Sequence, residues 1–157
     1  MRIALGSDHA GFPLKKDIRK YLDSSGLQFH DFGTYSTESV DYPDYAAMVA
    51  ESVRRNEYER GILVCGTGIG MCIAANKFQG IRAALCYNSE TARLSREHND
   101  ANVLVLGGRM TNEDDAKEMI KVWLETDFAG ERHLRRIGKI SKLEKRYGRD
   151  MVEIEDY

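Results

Sequence analysis

The feature that most constrains the fold is the stretch from residue 61 to residue 77, which joins an apolar run to a glycine-rich turn and then to a helical pattern. Residues 62–64 are continuously apolar, as in a strand that is buried on both faces. The run ends at Cys65, and glycines stand at positions 66, 68 and 70. Because such a strand needs a layer of helices on each side, the stretch predicts an α/β fold.

The glycine-rich turn has the properties of an anion-binding loop. Closely spaced glycines let backbone N–H groups approach a ligand, and the N-terminus of the following helix carries partial positive charge. The dinucleotide fingerprint does not fit, because its third glycine would come one residue after Gly70 and its acidic residue is replaced by Cys86-Tyr87-Asn88. Neither this loop nor the one at residues 6–12 contains the Gly-Lys-Ser/Thr of a nucleotide P-loop.

Strand and helix patterns alternate along the rest of the chain. Short apolar runs predict five strands, at residues 2–7, 27–32, 62–64, 82–86 and 103–106. A helix follows each strand, a capping box is predicted at Thr111–Asp114 for the fifth helix, and a basic helix begins at about residue 131. This order predicts a three-layer α/β/α Rossmann-like fold with a five-stranded parallel sheet. We expect one domain at residues 1–147, followed by an acidic tail at 148–157.

Length and composition limit the classes of function. A chain of 157 residues is the size of one domain, and its net charge of −2 gives no general attraction to nucleic acid or to an anionic membrane. No apolar run approaches the roughly 20 residues of a membrane span, and the N-terminus opens into a strand pattern without a signal peptide. Three cysteines fit reduced thiols. We therefore expect a cytoplasmic protein with neither nucleic-acid nor membrane partners.

Parallel sheets bind ligands at the carboxyl ends of their strands. That edge collects Asp8 and His9 after the first strand, Cys65 with its loop after the third, and residues 107–109 after the fifth. Cys65 is the candidate base or nucleophile, because thiols near a helix N-terminus ionise more readily than ordinary thiols. The other two cysteines, Cys72 and Cys86, are interpreted as packing residues.

The histidines and arginines add further candidates. His98 is either a helix-end residue that bonds to carbonyls or a general acid. The four histidines are scattered, with neither a CxxC nor an HxxxH pair, so no metal site and no cofactor is predicted. Arg132 and Arg136 stand four residues apart on one helix face. They form either part of a solvated basic stripe or a pair of donors for a phosphate.

A thiol base, backbone donors for a developing oxyanion, an imidazole and arginines for a remote phosphate together describe proton transfer next to the carbonyl of a sugar phosphate. The same residues carry a resemblance to a known family. The matching motifs are SDHAG at 7–11, SVDYP at 39–43, CGTGIGM at 65–71, AANK at 74–77, SREHNDAN at 95–102 and GERH at 130–133. Over about residues 2–144 the chain closely resembles the type B ribose-5-phosphate isomerases.

This resemblance implies an aldose–ketose isomerase that interconverts ribose 5-phosphate and ribulose 5-phosphate in the pentose phosphate pathway, through ring opening and a cis-enediolate. His98 would open the ring with help from Asp8, Cys65 would move the proton between C2 and C1, and Thr67 would lie near the sugar oxygens. The substrate-binding residues implied are His9, Tyr42, Gly66, Gly68, Ile69, Gly70, Asn99, Arg109, Arg132 and Arg136. Some relatives carry the base on a glutamate after the loop, but residues 71–75 contain no acid here.

The resemblance also implies a homodimer, or a tetramer, with active sites shared between subunits. The predicted fold gives the same indication, because His98 and Asn99 follow the fourth helix and so lie at the opposite end from the carboxyl edge of the sheet. Two other functions stay open: isomerisation of a six-carbon substrate such as galactose or allose 6-phosphate, and a non-enzymatic sugar-phosphate sensor. A thiol redox function is disfavoured, because no cysteine pair has C-x-x-C spacing.

Overall fold

A computed structural model of the chain describes residues 1–148. Strands and helices alternate as the sequence predicts. The five strands are β1 (Arg2–Ser7), β2 (Gln28–Asp31), β3 (Arg60–Cys65), β4 (Ala83–Leu85) and β5 (Val103–Gly107). The six helices are α1 (Phe12–Ser24), α2 (Tyr42–Arg54), α3 (Ile69–Ala75), α4 (Ser89–Asn99), α5 (Glu113–Glu125) and α6 (Glu131–Tyr147). Apart from Gly148, the predicted acidic tail lies outside the described residues.

The sheet is entirely parallel, with the strand order β2-β1-β3-β5-β4. At its centre, Val64 of β3 lies opposite Ser7 of β1, and Cys65 lies opposite Gly107 of β5. The carboxyl ends of β1, β3 and β5 therefore lie side by side at one edge of the sheet. The predicted five-stranded Rossmann-like fold is confirmed.

The core consists of two apolar layers, one on each face of the sheet. Successive side chains of a strand point to opposite faces, so Ile62 of β3 packs toward α1 and α5, whereas Leu63 packs toward α2 and α3. Trp123 of α5 is fully buried in the first layer. Full burial of a Val, Leu, Ile, Phe or Met side chain contributes roughly 1.5–3 kcal/mol, so the two layers hold the helices firmly against the sheet.

The last helix, α6, packs much less closely than the others. His133 is the one buried residue among its 17, and Leu134 and Leu143 expose 63% and 56% of their surfaces. None of the helices that the structure describes combines the length and the apolar character needed to cross a membrane. Within the described residues, the apolar side of this amphipathic helix stays largely exposed.

Helix starts differ in detail from the predictions. The capping box predicted at Thr111 is wrong, because Asn112 is the N-cap of α5 and its carboxamide oxygen accepts the Asp115 N–H at 2.8 Å. A capping box is present instead at α4, where Asn88 and Thr91 bond reciprocally to each other's backbone N–H groups. Asn, Ser, Thr and Asp are all good caps, so adjacent candidates are difficult to separate from sequence.

Candidate active site

The loop after β1 holds Asp8 against the centre of the sheet. The Asp8 N–H donates to the Val64 carbonyl at 3.2 Å, and its carboxylate accepts the Gly11 N–H at 2.8 Å. A Cβ on Gly11 would come within 2.2 Å of the Val64 oxygen, so only glycine fits this position. Asp8 is consequently 6% exposed and fixed beside the end of β3.

His9 is oriented by the segment that precedes α2. Its Nδ1 lies 3.2 Å from both the backbone nitrogen and the carbonyl oxygen of Val40. Nδ1 therefore accepts from the Val40 N–H in one tautomer and donates to the carbonyl oxygen in the other. Either arrangement occupies Nδ1 and leaves Nε2 as the ring nitrogen for a ligand.

The segment that carries Val40 is anchored by a buried cation. Lys15 Nζ is completely buried and donates to Asp31 Oδ1 at 2.5 Å and to the Thr34 carbonyl at 2.7 Å. Burial lowers the pKa of Lys15, and the bond to Asp31 opposes that change. Because the neighbouring Thr34 N–H bonds to the Ser7 carbonyl at 2.6 Å, this ion pair ties the segment to the end of β1.

Cys65 ends β3 and is 4% exposed. The loop that follows it contains Gly68 at φ +83°, where an added Cβ would lie 2.4 Å from the Leu85 side chain. In the part of the chain that the structure describes, the N–H groups of Gly66, Thr67 and Gly68 bond to no protein acceptor, and the Ile69 N–H reaches only Thr67 Oγ1, at 3.4 Å. The predicted anion-binding loop thus has its donors available beside the thiol.

Two side chains lie over the glycines of this loop. The Tyr42 ring approaches within 2.7 Å of the place that a Cβ on Gly70 would occupy, and Arg109 Nη1 within 3.5 Å of the corresponding place on Gly66. The Arg109 N–H also donates to the Gly66 carbonyl at 3.0 Å. A phenol and a guanidinium therefore border the loop on its exposed side.

The other two thiols are Cys72 in α3 and Cys86 just after β4. Burial raises the pKa of Cys86 to about 11, and burial also raises the pKa of Cys72. Cys72 donates to the Ala83 carbonyl at 3.4 Å. Both are neutral thiols at physiological pH and fit the packing role predicted for them.

His98 and Asn99 lie at the opposite edge of the sheet. They are the last two residues of α4, and Asn102, just beyond, accepts the Gly61 N–H with its carbonyl at 2.9 Å. Gly61 is at the beginning of β3, whereas Cys65 is at its end. The single chain therefore does not bring His98 to Cys65.

His98 is in contact with α6 instead. Its ring stacks on that of His133, and Arg132 Nε lies 3.3 Å from His133 Nε2. Burial lowers the pKa of His133, and the nearby His98, Arg132 and Arg136 lower it further. His133 stands in the GERH motif but no role is predicted for it, because nothing in its spacing reveals contact with a residue on another helix.

The predicted site residues thus form two groups. The carboxyl-edge cluster contains Asp8, His9, Tyr42, Cys65, Gly66, Thr67, Gly68, Ile69, Gly70 and Arg109. The α4–α6 cluster contains His98, Asn99, Arg132 and Arg136, together with His133. Each cluster holds part of the predicted chemistry, the thiol and the oxyanion donors in one and the imidazole with two arginines in the other.

Neither cluster has the ligands of a metal site. Within residues 1–148, no group of three or more His, Cys, Asp or Glu side chains is placed to hold a metal ion. The side chains present include a thiol and imidazoles, which can transfer protons, and arginines, which together with the loop N–H groups can bind anions.

Comparison with known proteins places this arrangement in a family. A family model described as Ribose/Galactose Isomerase matches residues 3–140. Ribose-5-phosphate isomerase B of Escherichia coli (strain K12) is 47% identical over 145 residues, which are 92% of this chain and 97% of that protein.

Solved structures of similar proteins support the same family. The ribose-5-phosphate isomerase B of Clostridium thermocellum has a TM-score of 0.92 and 53% identity, covering 94% of this chain and 99% of its own. That of Mycoplasma genitalium with bound ribulose-5-phosphate has a TM-score of 0.88 and 42% identity, covering 92% of this chain and 96% of its own. The resemblance seen in the motifs is confirmed, and the chain belongs to the Ribose/Galactose Isomerase family.

Proposed function

We propose that this chain is an enzyme that interconverts ribose 5-phosphate and ribulose 5-phosphate. The main observation is that the Cys65 thiol directly precedes three backbone N–H groups that have no acceptor in the described part of the chain. Proton transfer between neighbouring carbons needs a base, and an enediolate needs hydrogen-bond donors for its oxygens. The similar proteins named ribose-5-phosphate isomerase B, one of them with bound ribulose-5-phosphate, support this substrate.

The reaction begins with opening of the furanose ring. The bond between C1 and the ring oxygen breaks as His98 gives a proton to the ring oxygen, and Asp8 takes the proton that the O1 hydroxyl loses. The Cys65 thiolate then removes the proton from C2 of the open aldehyde. The electron pair forms the C1–C2 double bond, and the carbonyl oxygen becomes an oxyanion that the loop N–H groups and Thr67 stabilise.

The second half of the reaction returns the proton. Cys65 delivers it to C1 while the proton of the C2 hydroxyl passes to the O1 oxyanion, so that C1 carries a hydroxyl and C2 becomes the carbonyl of the ketose. Tyr42 and Asn99 position the sugar. His9, Arg109, Arg132 and Arg136 bind the phosphate, which anchors the substrate away from the reacting carbons.

The proposal includes a homodimer, or a tetramer, whose active sites are shared. A two-fold dimer that places the α4–α6 cluster of one subunit against the carboxyl-edge cluster of the other would complete two identical sites. Exposed apolar side chains support such an interface. Ile73 of α3 exposes 58% of its surface and Tyr87, just before α4, exposes 55%. Leu134 and Leu143 of α6 expose 63% and 56%. Contiguous exposed apolar patches are typical of protein–protein interfaces.

Six-carbon substrates are not favoured, because the similar proteins above are named for ribose 5-phosphate and because this chain has both Cys65 and the Arg132/Arg136 pair. A non-enzymatic sensor would bind a sugar phosphate without converting it. A cytoplasmic location and a role in the pentose phosphate pathway follow from the family resemblance and belong to the same proposal.

Turnover in D₂O tests the proposal. Ribose 5-phosphate and allose 6-phosphate are supplied separately, and products are followed by NMR. We expect conversion of ribose 5-phosphate with solvent deuterium at C1 of ribulose 5-phosphate, because a thiol exchanges its proton with solvent. Binding without conversion would identify a sensor, and preferred conversion of allose 6-phosphate would identify a six-carbon isomerase. Conversion without deuterium would show that the C2 hydrogen reaches C1 without exchange with solvent.

A further inference from the structure

We propose that Asp100 is a positioning residue that, held between Arg82 and Arg96, fixes the end of α4 and thereby the place of His98 and Asn99 in the reaction. This inference rests on the proposed function, which gives His98 and Asn99 their roles. Asp100 itself touches neither the proposed base nor the loop that binds the enediolate.

The carboxylate of Asp100 is bonded on both oxygens. Oδ1 accepts from Arg96 Nη1 at 2.7 Å, and Oδ2 accepts from Arg82 Nη2 at 2.8 Å. The backbone of Asp100 is left-handed, with φ 46° and ψ 44°, at the C-cap of α4. Two arginines from different parts of the chain therefore converge on one carboxylate at the point where the helix stops.

Arg82 connects this helix end to the sheet. The Arg82 Nε lies 3.0 Å from the carbonyl oxygens of both Asn99 and Asp100. The backbone N–H of Arg82 donates to Asn102 Oδ1 at 2.8 Å. The last carbonyls of a helix lack partners within the helix and carry partial negative charge, which a guanidinium satisfies. Because Arg82 directly precedes β4, the end of α4 is tied to a strand.

Arg96 connects the same carboxylate to the core. Its side chain is 4% exposed, its Nη1 also donates to the Ala101 carbonyl at 2.7 Å, and its guanidinium lies over the Trp123 ring at 5.9 Å. Trp123 is fully buried. Asp100 is thus held between one arginine fixed in the core and another fixed at the sheet.

The end of a helix does not require a carboxylate such as that of Asp100. Glycine is the residue that adopts a left-handed C-terminal conformation with the least strain. An aspartate is more strained than glycine in this conformation, but its carboxylate fixes the backbone two residues after His98. The other contact of the His98 ring is with His133 of the exposed helix α6. A displacement of about 1 Å in a reacting group can cost on the order of 100-fold in rate.

The test compares Asp100→Gly with Asn56→Gly. Asn56 is also left-handed, with φ 58°, just after α2, so the second variant makes the same kind of backbone change without removing a clamp. We expect Asp100→Gly to lose about 10- to 100-fold in kcat with KM changed much less, because the phosphate-binding residues are untouched. Asn56→Gly should keep wild-type kcat. Equal kcat for Asp100→Gly and wild type would overturn the proposal.

Subunit mixing separates positioning from general damage. Asp100→Gly is refolded together with Cys65→Ala. In a mixed dimer, one site combines the intact Cys65 of the first chain with the intact α4 end of the second, so activity should rise toward about one quarter of wild type. No rise, while Cys65→Ala mixed with His98→Ala does recover activity, would show that Asp100→Gly harms its own carboxyl-edge cluster and would overturn the proposal.

The two proposals fail in different ways. If Cys65→Ala and His98→Ala do not complement each other, the shared site is wrong, and the comparison of Asp100→Gly with Asn56→Gly still decides the role of Asp100. If Asp100→Gly does not fold, Asp100→Asn replaces it, since asparagine tolerates the left-handed backbone but loses the charge that both arginines bind. A folded Asp100→Asn with wild-type kcat would then overturn the proposal, and a kcat loss of about tenfold would support it.

Discussion

The rings of His98 and His133 stack with their centroids 4.3 Å apart and their planes 6° from parallel. This contact joins the end of α4 to the start of α6, and it places an imidazole proposed for ring opening against a second imidazole and near two arginines. Burial, and then the nearby His98, Arg132 and Arg136, lower the pKa of His133, because nearby positive charge disfavours a proton on its ring. The stack therefore links the packing of α6 to pH.

The first prediction concerns stability at acid pH. His133 has a pKa below 6.5, lowered first by burial and then by His98, Arg132 and Arg136. As the pH falls below 6.5, His133 therefore binds a proton more readily in the unfolded chain than in the folded chain. This difference lowers the free energy of unfolding. We expect His133→Gln to lose less stability than wild type between about pH 7 and pH 5. Urea denaturation of both proteins at the two pH values measures this, and equal losses would contradict it.

The second prediction concerns the thiols. Cys65→Ala should lose about 100-fold or more in kcat while still binding ribose 5-phosphate, because the phosphate-binding residues and the loop donors remain. Cys72→Ala is the matched control, since Cys72 lies in α3 close to the same loop and is a neutral packing residue. Steady-state kinetics and calorimetric titration measure the two effects. A Cys65→Ala enzyme with near-normal kcat would show that Cys65 is a packing residue and not the base.

The sequence could predict the parts of this structure that have a local signature. Periodic apolar residues predicted the strands and helices, and the glycines after Cys65 predicted the anion-binding loop. The capping box predicted at Thr111–Asp114 is wrong, because the adjacent Asn112 is an equally good cap and is the one that the helix uses.

Contacts between distant segments could not be predicted in this way. His9 with Val40 and His98 with His133 join residues more than 30 positions apart, and no periodicity connects them. The convergence of Arg82 and Arg96 on Asp100 depends on the strand order β2-β1-β3-β5-β4, which the alternation of strands and helices leaves undetermined.

The third prediction concerns the loop that holds Asp8. Gly11→Ala would force a methyl group against the Val64 backbone, where the Cβ would lie 2.2 Å from the carbonyl oxygen. We expect a loss of at least roughly 1–3 kcal/mol in the free energy of unfolding, together with reduced activity. Gly138→Ala is the control, because an added Cβ there meets no atom within 4 Å in the described part of the chain. It should be neutral or stabilising, and thermal unfolding of both variants makes the comparison. Equal melting temperatures would contradict the tight approach of Gly11 to β3.

The fourth prediction concerns the phosphate. Arg136→Ala should raise KM for ribose 5-phosphate more than it lowers kcat, because contacts far from the reacting carbons bind the ground state and the transition state alike. Lys121→Ala removes a positive charge from an exposed position on α5 and controls for the change in net charge. Kinetics at fixed ionic strength measure both. An unaltered KM for Arg136→Ala would indicate that the arginines of α6 form a solvated basic stripe and do not bind the phosphate.

The most direct test of the shared site is complementation between the two clusters. Cys65→Ala and His98→Ala are purified separately, shown to be nearly inactive, and then unfolded and refolded together in equal amounts. Half of the dimers formed by random mixing contain one subunit of each kind, and each of these has one site with both defects and one with neither. The activity per subunit should therefore return toward about one quarter of wild type. If the mixture stays inactive although mass spectrometry shows mixed dimers, Cys65 and His98 do not meet across a subunit interface, and the account of a shared active site is wrong.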